Sequence, residues 1–182
     1  MWHYLGNSGK DLILSPDAML DDLPLMATHE VQMLAWNEAV AARNKIGSAT
    51  GESAFTSRWN AFYATKEQIW DWYYSLGGFW CSVSGVVTKH GDEKSWSARF
   101  RVHVFDRYNW DEGKSVQIGP MHVDDTELGA LHLKGLAREF VVRGTSRVDV
   151  MESSRPGGVT EAPGGGRDKQ LASYHDHYAD TS

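Results

Sequence analysis

Absences narrow this sequence first. It has one cysteine in 182 residues, Cys81, so a disulfide framework and a cysteine zinc site are both excluded. No apolar run reaches the ~18–20 residues of a membrane-spanning helix. Basic residues number 18 against 24 acidic ones. The resulting formal charge of −6 leaves little for a nucleic-acid backbone to hold, so nucleic acid is not expected as a partner. The opening MWHYLGNSGKDL has neither the basic nor the apolar region of a signal peptide. Its abrupt start reads as that of a piece of a longer polypeptide, so any export signal is expected upstream. G-x-S-x-G, P-loop, dinucleotide-binding glycine and H-E-x-x-H patterns are missing, which removes the usual signals of acyl-enzyme, P-loop and zincin chemistry.

What is present suits a single domain with its own core. The chain is 41% hydrophobic and carries eight Trp, seven Tyr and six Phe, a load that favours sheet packing and binding of sugars or amphipathic ligands. DLILS reads as a short strand. Ser15, Pro16 and Asp17 are helix-start chemistry: an N-cap, a first-turn proline and an acid at the positive end of the dipole. A longer helix is expected from Thr28 as cap, with Val31, Leu34, Ala35, Ala39, Ala42 and Ile46 at three- and four-residue spacing and Gly47 as its stop. GSATGES reads as a loop, and Thr65 with Gln68 fits a capping box before a helix ending at Gly77.

Two alternating runs then predict an antiparallel hairpin. Phe79, Cys81, Val83 and Val87 form one buried set; Trp96, Ala98, Phe100, Val102 and Val104 form the other, leaving Ser97, Arg99, Arg101 and His103 on the opposite face. SVQIGPMHV predicts one short strand, Asp124 or Asp125 the cap of a helix closed by Gly135, and LAREFVV and SRVDVM the last strands. No internal repeat is visible. The order gives an α+β fold, N-terminal helices packed on an antiparallel sheet or open β-barrel. Residues 1–151 form the expected domain, and the Gly- and Pro-rich residues 152–182 a flexible tail.

Chemistry is sought first in FDRYNWDEGKSV, residues 105–116. Strand alternation puts Asp106 and Tyr108 on the core side or at the sheet's rim, where a carboxylate needs a partner or a cation. Arg107 or Arg101 could be that partner, and Asn109 to Gly113 could be turn chemistry alone; a hard cation such as Mg²⁺, held with substrate phosphate, is the alternative. His122, Asp124, Asp125 and Glu127 read as helix capping. His132 is either a packing residue or a general base opposite Asp106. Arg138 and Arg143 could clamp phosphate oxygens or be solvated strand residues. His175 and His177 have a metal-compatible spacing within the tail.

HYLGNSG (3–9), GFWCSVSGVVT (78–88), DRYNWD (106–111) and LGALHLKGLAREFVVRG (128–144), in that order, resemble the activity domain of colicin M-like bacteriocins over residues 3–150 in outline. DRYNWD with GLAREF also resembles carboxy-terminal toxin domains of large secreted bacterial proteins. The resemblance implies an open, mostly antiparallel barrel and a secreted antibacterial hydrolase. Such an enzyme degrades lipid II at the outer side of the target's cytoplasmic membrane, with Mg²⁺ or Ca²⁺. A cognate immunity protein is the expected partner. The family motif is Asp-x-Tyr-Asp followed by His-Arg. Asp106 and Tyr108 match it, Asn109 stands at the second aspartate, Asp111 comes two residues late, and no His-Arg pair follows at the family spacing. The implied roles are Asp106, Asp111 and Asp125 at the metal, His132 as acid or base, Tyr108 positioning an oxygen, and Arg138 stabilising pyrophosphate charge. A non-enzymatic toxin or cell-surface-binding module on the same scaffold is the alternative.

Overall fold

The computed structural model describes residues 2–23, 26–65, 70–91, 95–109, 115–118, 121–153 and 159–161. Its centre is the expected hairpin: β4 (Gly78–Lys89) pairs antiparallel with β5 (Trp96–Tyr108), from Trp80 opposite Phe105 to Lys89 opposite Trp96. All nine apolar residues predicted for its inner face are buried. Gly85 marks the tightest point. A Cβ there would lie 2.3 Å from the Arg99 carbonyl oxygen and 2.7 Å from the Phe55 ring, so only glycine lets the strands and that ring close.

Each long strand is flanked by a broken one. Along β4 run β2 (Gly51–Thr56) and β3 (Asn60–Tyr63); along β5 run β8 (Phe140–Thr145) and β9 (Asp149–Glu152). The two breaks are built alike. At the first, the Ser57 N–H donates to the Val83 carbonyl at 2.8 Å, while Ser57 Oγ accepts from the Val83 N–H at 2.9 Å and donates to the Arg58 carbonyl at 2.8 Å. At the second, Ser146 N–H donates to the Val102 carbonyl at 2.8 Å, and Ser146 Oγ accepts from Val102 N–H at 2.8 Å and donates to the Arg147 carbonyl at 2.7 Å. In both, a hydroxyl stands in for the carbonyl that the ladder loses where the strand bends.

Val83 and Val102 face one another across the hairpin. The backbone groups of each point outward to a serine, which makes the two a non-hydrogen-bonded, closely spaced pair. Thr-Ser-Arg occurs at 56–58 and again at 145–147. A local repeat thus exists where none was expected, related by a pseudo-two-fold between the central strands.

β1 (Leu12–Ile13) joins β8 in parallel, and β10 (Val159–Glu161) joins β9, giving an eight-stranded sheet; β6 (Ser115–Ile118) and β7 (Met121–Asp124) form a separate hairpin. The fold is therefore α+β with an open sheet, and no barrel closes among the described residues. SVQIGPMHV supplies two strands rather than one, because β6 and β7 fold back on each other. GSATGES is loop only as far as Thr50, and β2 and β3 were not anticipated. Their residues mix Ala54, Phe55, Ala61, Phe62 and Tyr63 with polar ones in no clean alternation, and they owe their extended form to the ladder on β4. Part of the expected tail likewise contributes a strand, β10.

Helices cover one face of the sheet. α2 (Pro16–Asp22) begins as expected, with Ser15 Oγ accepting from Ala18 N–H at 3.4 Å. Asp17 does more than meet the helix dipole: its carboxylate accepts the Arg147 N–H at 3.1 Å, tying α2 to the second strand break. A π-helical turn, Ala27–Val31, runs directly into α3 (Gln32–Ile46), so Thr28 lies inside the helical segment and not at its cap. Ala35, Ala39 and Ala42 form the buried stripe of α3, small enough to bring the helix close to β2 and β4. Gly47, at φ 71°, ends it, and the Lys89 ammonium donates to the Gly47 carbonyl. α4 (Trp70–Ser75) is pinned to α2 by a 2.8 Å bond from Trp72 Nε1 to Asp22; Gln68 of the expected capping box lies outside the described residues. A second, smaller core of Tyr4, Ala137, Phe140 and Val142 gathers at the other end of this face, with Leu131 and Tyr108 packed on it. α1 (Trp2–Leu5) and α5 (Asp125–Leu133) supply Tyr4 and Leu131.

Candidate functional site

The second core lies beneath the tip that holds most of the sequence-predicted site. Asp106 and Tyr108, two residues apart on β5, pair with Val142 and Phe140 of β8, so both belong to the helix-covered side; both are half-buried. The Tyr108 ring stacks on Phe140 at 4.7 Å between centroids, with the Tyr4 ring at 6.0 Å. His3 meets Phe140 edge-on at 4.4 Å between ring centroids. Arg107, on the opposite side of the strand, forms a 3.3 Å ion pair with Glu139.

His132 sits in the last turn of α5, where the chain doubles back into β8. Its Nδ1 accepts the Glu139 backbone N–H at 3.4 Å. A ring nitrogen that accepts is unprotonated, so the neutral imidazole carries its hydrogen on Nε2 and presents a donor. Arg138 is exposed; its backbone N–H donates to the Tyr4 carbonyl at 3.2 Å, and its aliphatic stem lies over Gly9, where a Cβ would sit 2.2 Å from Cδ. The tip therefore joins segments 2–10, 106–108 and 131–140. The buried Tyr4 phenol is pushed above its usual value of 10.0, first by desolvation and then by the charge of Glu139, with a smaller opposing hydrogen bond at the His132 backbone. It stays protonated and able to donate across the neutral range.

Tyr108, His132 and Arg138 thus lie on segments that meet at this tip, with Asp106 one strand repeat from Tyr108. Asp111 lies outside the described residues. Asp125 opens α5 while His132 closes it, which separates them by about 10 Å along the helix axis. Among the described residues, no three His, Cys, Asp or Glu side chains cluster as a metal site. Arg143, considered as a phosphate clamp, points to the opposite face, with Nε 2.8 Å from Asp11 Oδ2 in an ion contact poorly aligned for a hydrogen bond. His175 and His177 lie outside the described residues.

Two groups escaped the sequence reading. Glu139 was taken as part of a strand; it is the turn residue that contacts Arg107, His132 and the Tyr4 field. His103 was expected on an open face and is instead 2% exposed. Its Nε2 lies 2.8 Å from Ser84 Oγ and its Nδ1 3.1 Å from Thr145 Oγ1, so hydroxyls from the strands on either side satisfy both nitrogens. The only local signal was the shared parity of Ser82, Ser84 and His103, which becomes meaningful once the β4–β5 register is known.

An open α+β sheet with an aromatic tip carrying phenol, imidazole and guanidinium groups defines the class of this molecule. No protein family, curated protein or solved structure matches the chain.

Proposed function

We propose that this chain is a secreted antibacterial toxin domain that hydrolyses lipid II, or a related polyprenyl-pyrophosphate, at the outer side of the target's cytoplasmic membrane. The observation that supports the reading is that the segments bearing Tyr108, His132 and Arg138 meet at one tip over the buried Tyr4, beside Asp106 of the DRYNWD strand. A pyrophosphate leaving group develops negative charge on its oxygens, and this tip offers donors suited to it.

In this reading water attacks, the bond to the pyrophosphate oxygen breaks, and the proton that the departing oxygen takes up comes from the attacking water. His132, its Nδ1 accepting the Glu139 N–H, steadies that oxygen with a hydrogen bond from Nε2–H. The Arg138 guanidinium sits over the accumulating phosphate charge, and the Tyr108 hydroxyl orients a phosphate oxygen. Tyr4, kept protonated, supports the wall behind them. Asp106 would hold a divalent cation such as Mg²⁺, with Asp111 or Asp125 completing the carboxylate set and water and substrate phosphate filling the remaining positions. The bound ion supplies charge neutralisation of the pyrophosphate.

One assay decides the reading. Purified domain is incubated with detergent-solubilised lipid II and Mg²⁺ or Ca²⁺, and lipid and pyrophosphate products are separated. Product that disappears with chelator, and falls at least 100-fold in Asp106→Ala and His132→Ala, is expected from typical losses of charge stabilisation. Absence of product with either ion, or equal product from Asp106→Ala, overturns it. The second reading, a non-enzymatic toxin or surface-binding module, draws on the packing of Tyr108 against Phe140, which gives that tyrosine a structural task. Killing of target cells with lipid II left intact would establish it.

A further inference from the structure

Large apolar side chains are exposed on the same tip. Leu133 is 86% exposed, Leu136 61% and Leu5 41%. The segments that carry them are fastened together: Asn7 Nδ2 donates to the Gly135 carbonyl at 2.8 Å, and the Arg138 N–H donates to the Tyr4 carbonyl. Basic residues stand among them. Lys134 lies between the leucines in sequence; Lys10 is held beside α1 by a 2.7 Å bond between its carbonyl and His3 Nε2; Arg138 covers Gly9. All three are exposed, and among the described residues none is paired with a carboxylate.

Two acids nearby are already engaged in ion pairs, and Asp106 is the one that the hydrolytic reading gives to a cation. Glu139 pairs with Arg107 and Asp11 with Arg143. Asp125 and Glu127 lie at the far end of α5. A chain of net charge −6 has therefore gathered an apolar and cationic surface at one point. Scattered exposed leucines need no explanation, but leucines interleaved with unpaired cations match the chemistry of a lipid–water interface.

We propose that Leu5, Leu133 and Leu136, with Lys10, Lys134 and Arg138, form a docking surface for an anionic lipid bilayer. The leucines enter the headgroup–acyl boundary while the cations contact lipid phosphates, and the acidic remainder of the molecule is turned away from the membrane. The proposal rests on the hydrolytic reading for its occupant, since a polyprenyl-linked substrate stays in the bilayer and the site beside this surface has to reach it there. The binding itself is independent of any reaction.

The test is flotation of the whole chain with phosphatidylcholine vesicles, with and without phosphatidylglycerol, over a series of salt concentrations. Binding is expected only with the anionic lipid, weakening as salt rises. Lys10→Gln combined with Lys134→Gln is expected to weaken it roughly 25-fold, about fivefold per cation. Leu133→Asp, at a position too exposed to affect folding, is expected to abolish vesicle binding while leaving hydrolysis of detergent-solubilised lipid II unchanged. If vesicles are bound but no lipid II is cleaved in either setting, the docking surface stands and the hydrolytic reading falls. Equal binding to neutral vesicles, no binding at all, or a concentration-dependent dimer that Leu133→Asp dissolves would overturn the proposal.

Discussion

Replacing Ser146 by alanine removes one oxygen and tests the logic of the strand breaks. Ser146 is 1% exposed, and its Oγ accepts the N–H of the fully buried Val102 at 2.8 Å. The bend in β8–β9 leaves no carbonyl within the ladder to replace it. An orphaned buried donor costs about 1–3 kcal/mol, and the space left by the hydroxyl is too small to admit water without rearrangement. The bond from Ser146 to the Arg147 carbonyl adds little, because Arg147 is exposed. Ser146→Ala should therefore destabilise the protein by about 2–3 kcal/mol, a substantial part of the 5–15 kcal/mol typical of a domain. Ser153 provides the control: its Oγ accepts the Trp96 N–H at 3.1 Å near the sheet margin, where loss should cost about 1 kcal/mol. Urea unfolding would show the midpoint of Ser146→Ala falling with an unchanged slope, while native-state hydrogen exchange at the Val102 amide accelerates. A loss under ~0.5 kcal/mol, or equal losses in the two variants, would refute the claim that a buried hydroxyl completes the ladder.

Gly85→Ala should be among the most destabilising small substitutions, by about 3 kcal/mol or more, since its Cβ meets backbone at 2.3 Å; thermal melting would reveal it. Cys81 is buried, and desolvation above all, with a lesser effect of Glu30, raises its thiol well above the ordinary value of 9.0. It should resist iodoacetamide in the native state and react fully in urea. Because the folded thiol and the Tyr4 phenol both hold their protons beyond their unfolded values, the native state binds more protons than the unfolded chain on the alkaline side. Their stabilisation is complete below pH 9 and declines as pH rises above it, so urea midpoints should fall there, less steeply in Cys81→Ala. His103→Phe should destabilise by about 1–3 kcal/mol, because Ser84 and Thr145 lose their shared partner; equilibrium denaturation decides. On the hydrolytic reading, His132→Gln should lower kcat more than it raises KM.

Some of this architecture is written in short stretches of chain. Period-two alternation fixed the inner faces of β4 and β5, three- and four-residue spacing fixed the buried alanines of α3, and Ser15 and Gly47 fixed helix ends. Each depends on neighbours within about a turn, which a sequence displays directly. Strand parity also placed Asp106 with Tyr108.

Other features exist only after distant segments meet. β2 and β3 have too little apolar pattern to declare themselves and form because β4 supplies their partners. Thr28 fell inside a π turn that runs on into the helix, which its capping chemistry did not announce. The buried His103 required the register of three strands. The tip of Tyr4, Tyr108, His132 and Glu139 required the chain's first turn to lie against a turn more than a hundred residues later. Side-chain periodicity reports which face a residue occupies and carries no record of what will be brought opposite it. That juxtaposition was settled by cross-strand hydrogen bonds and the closing of the second core.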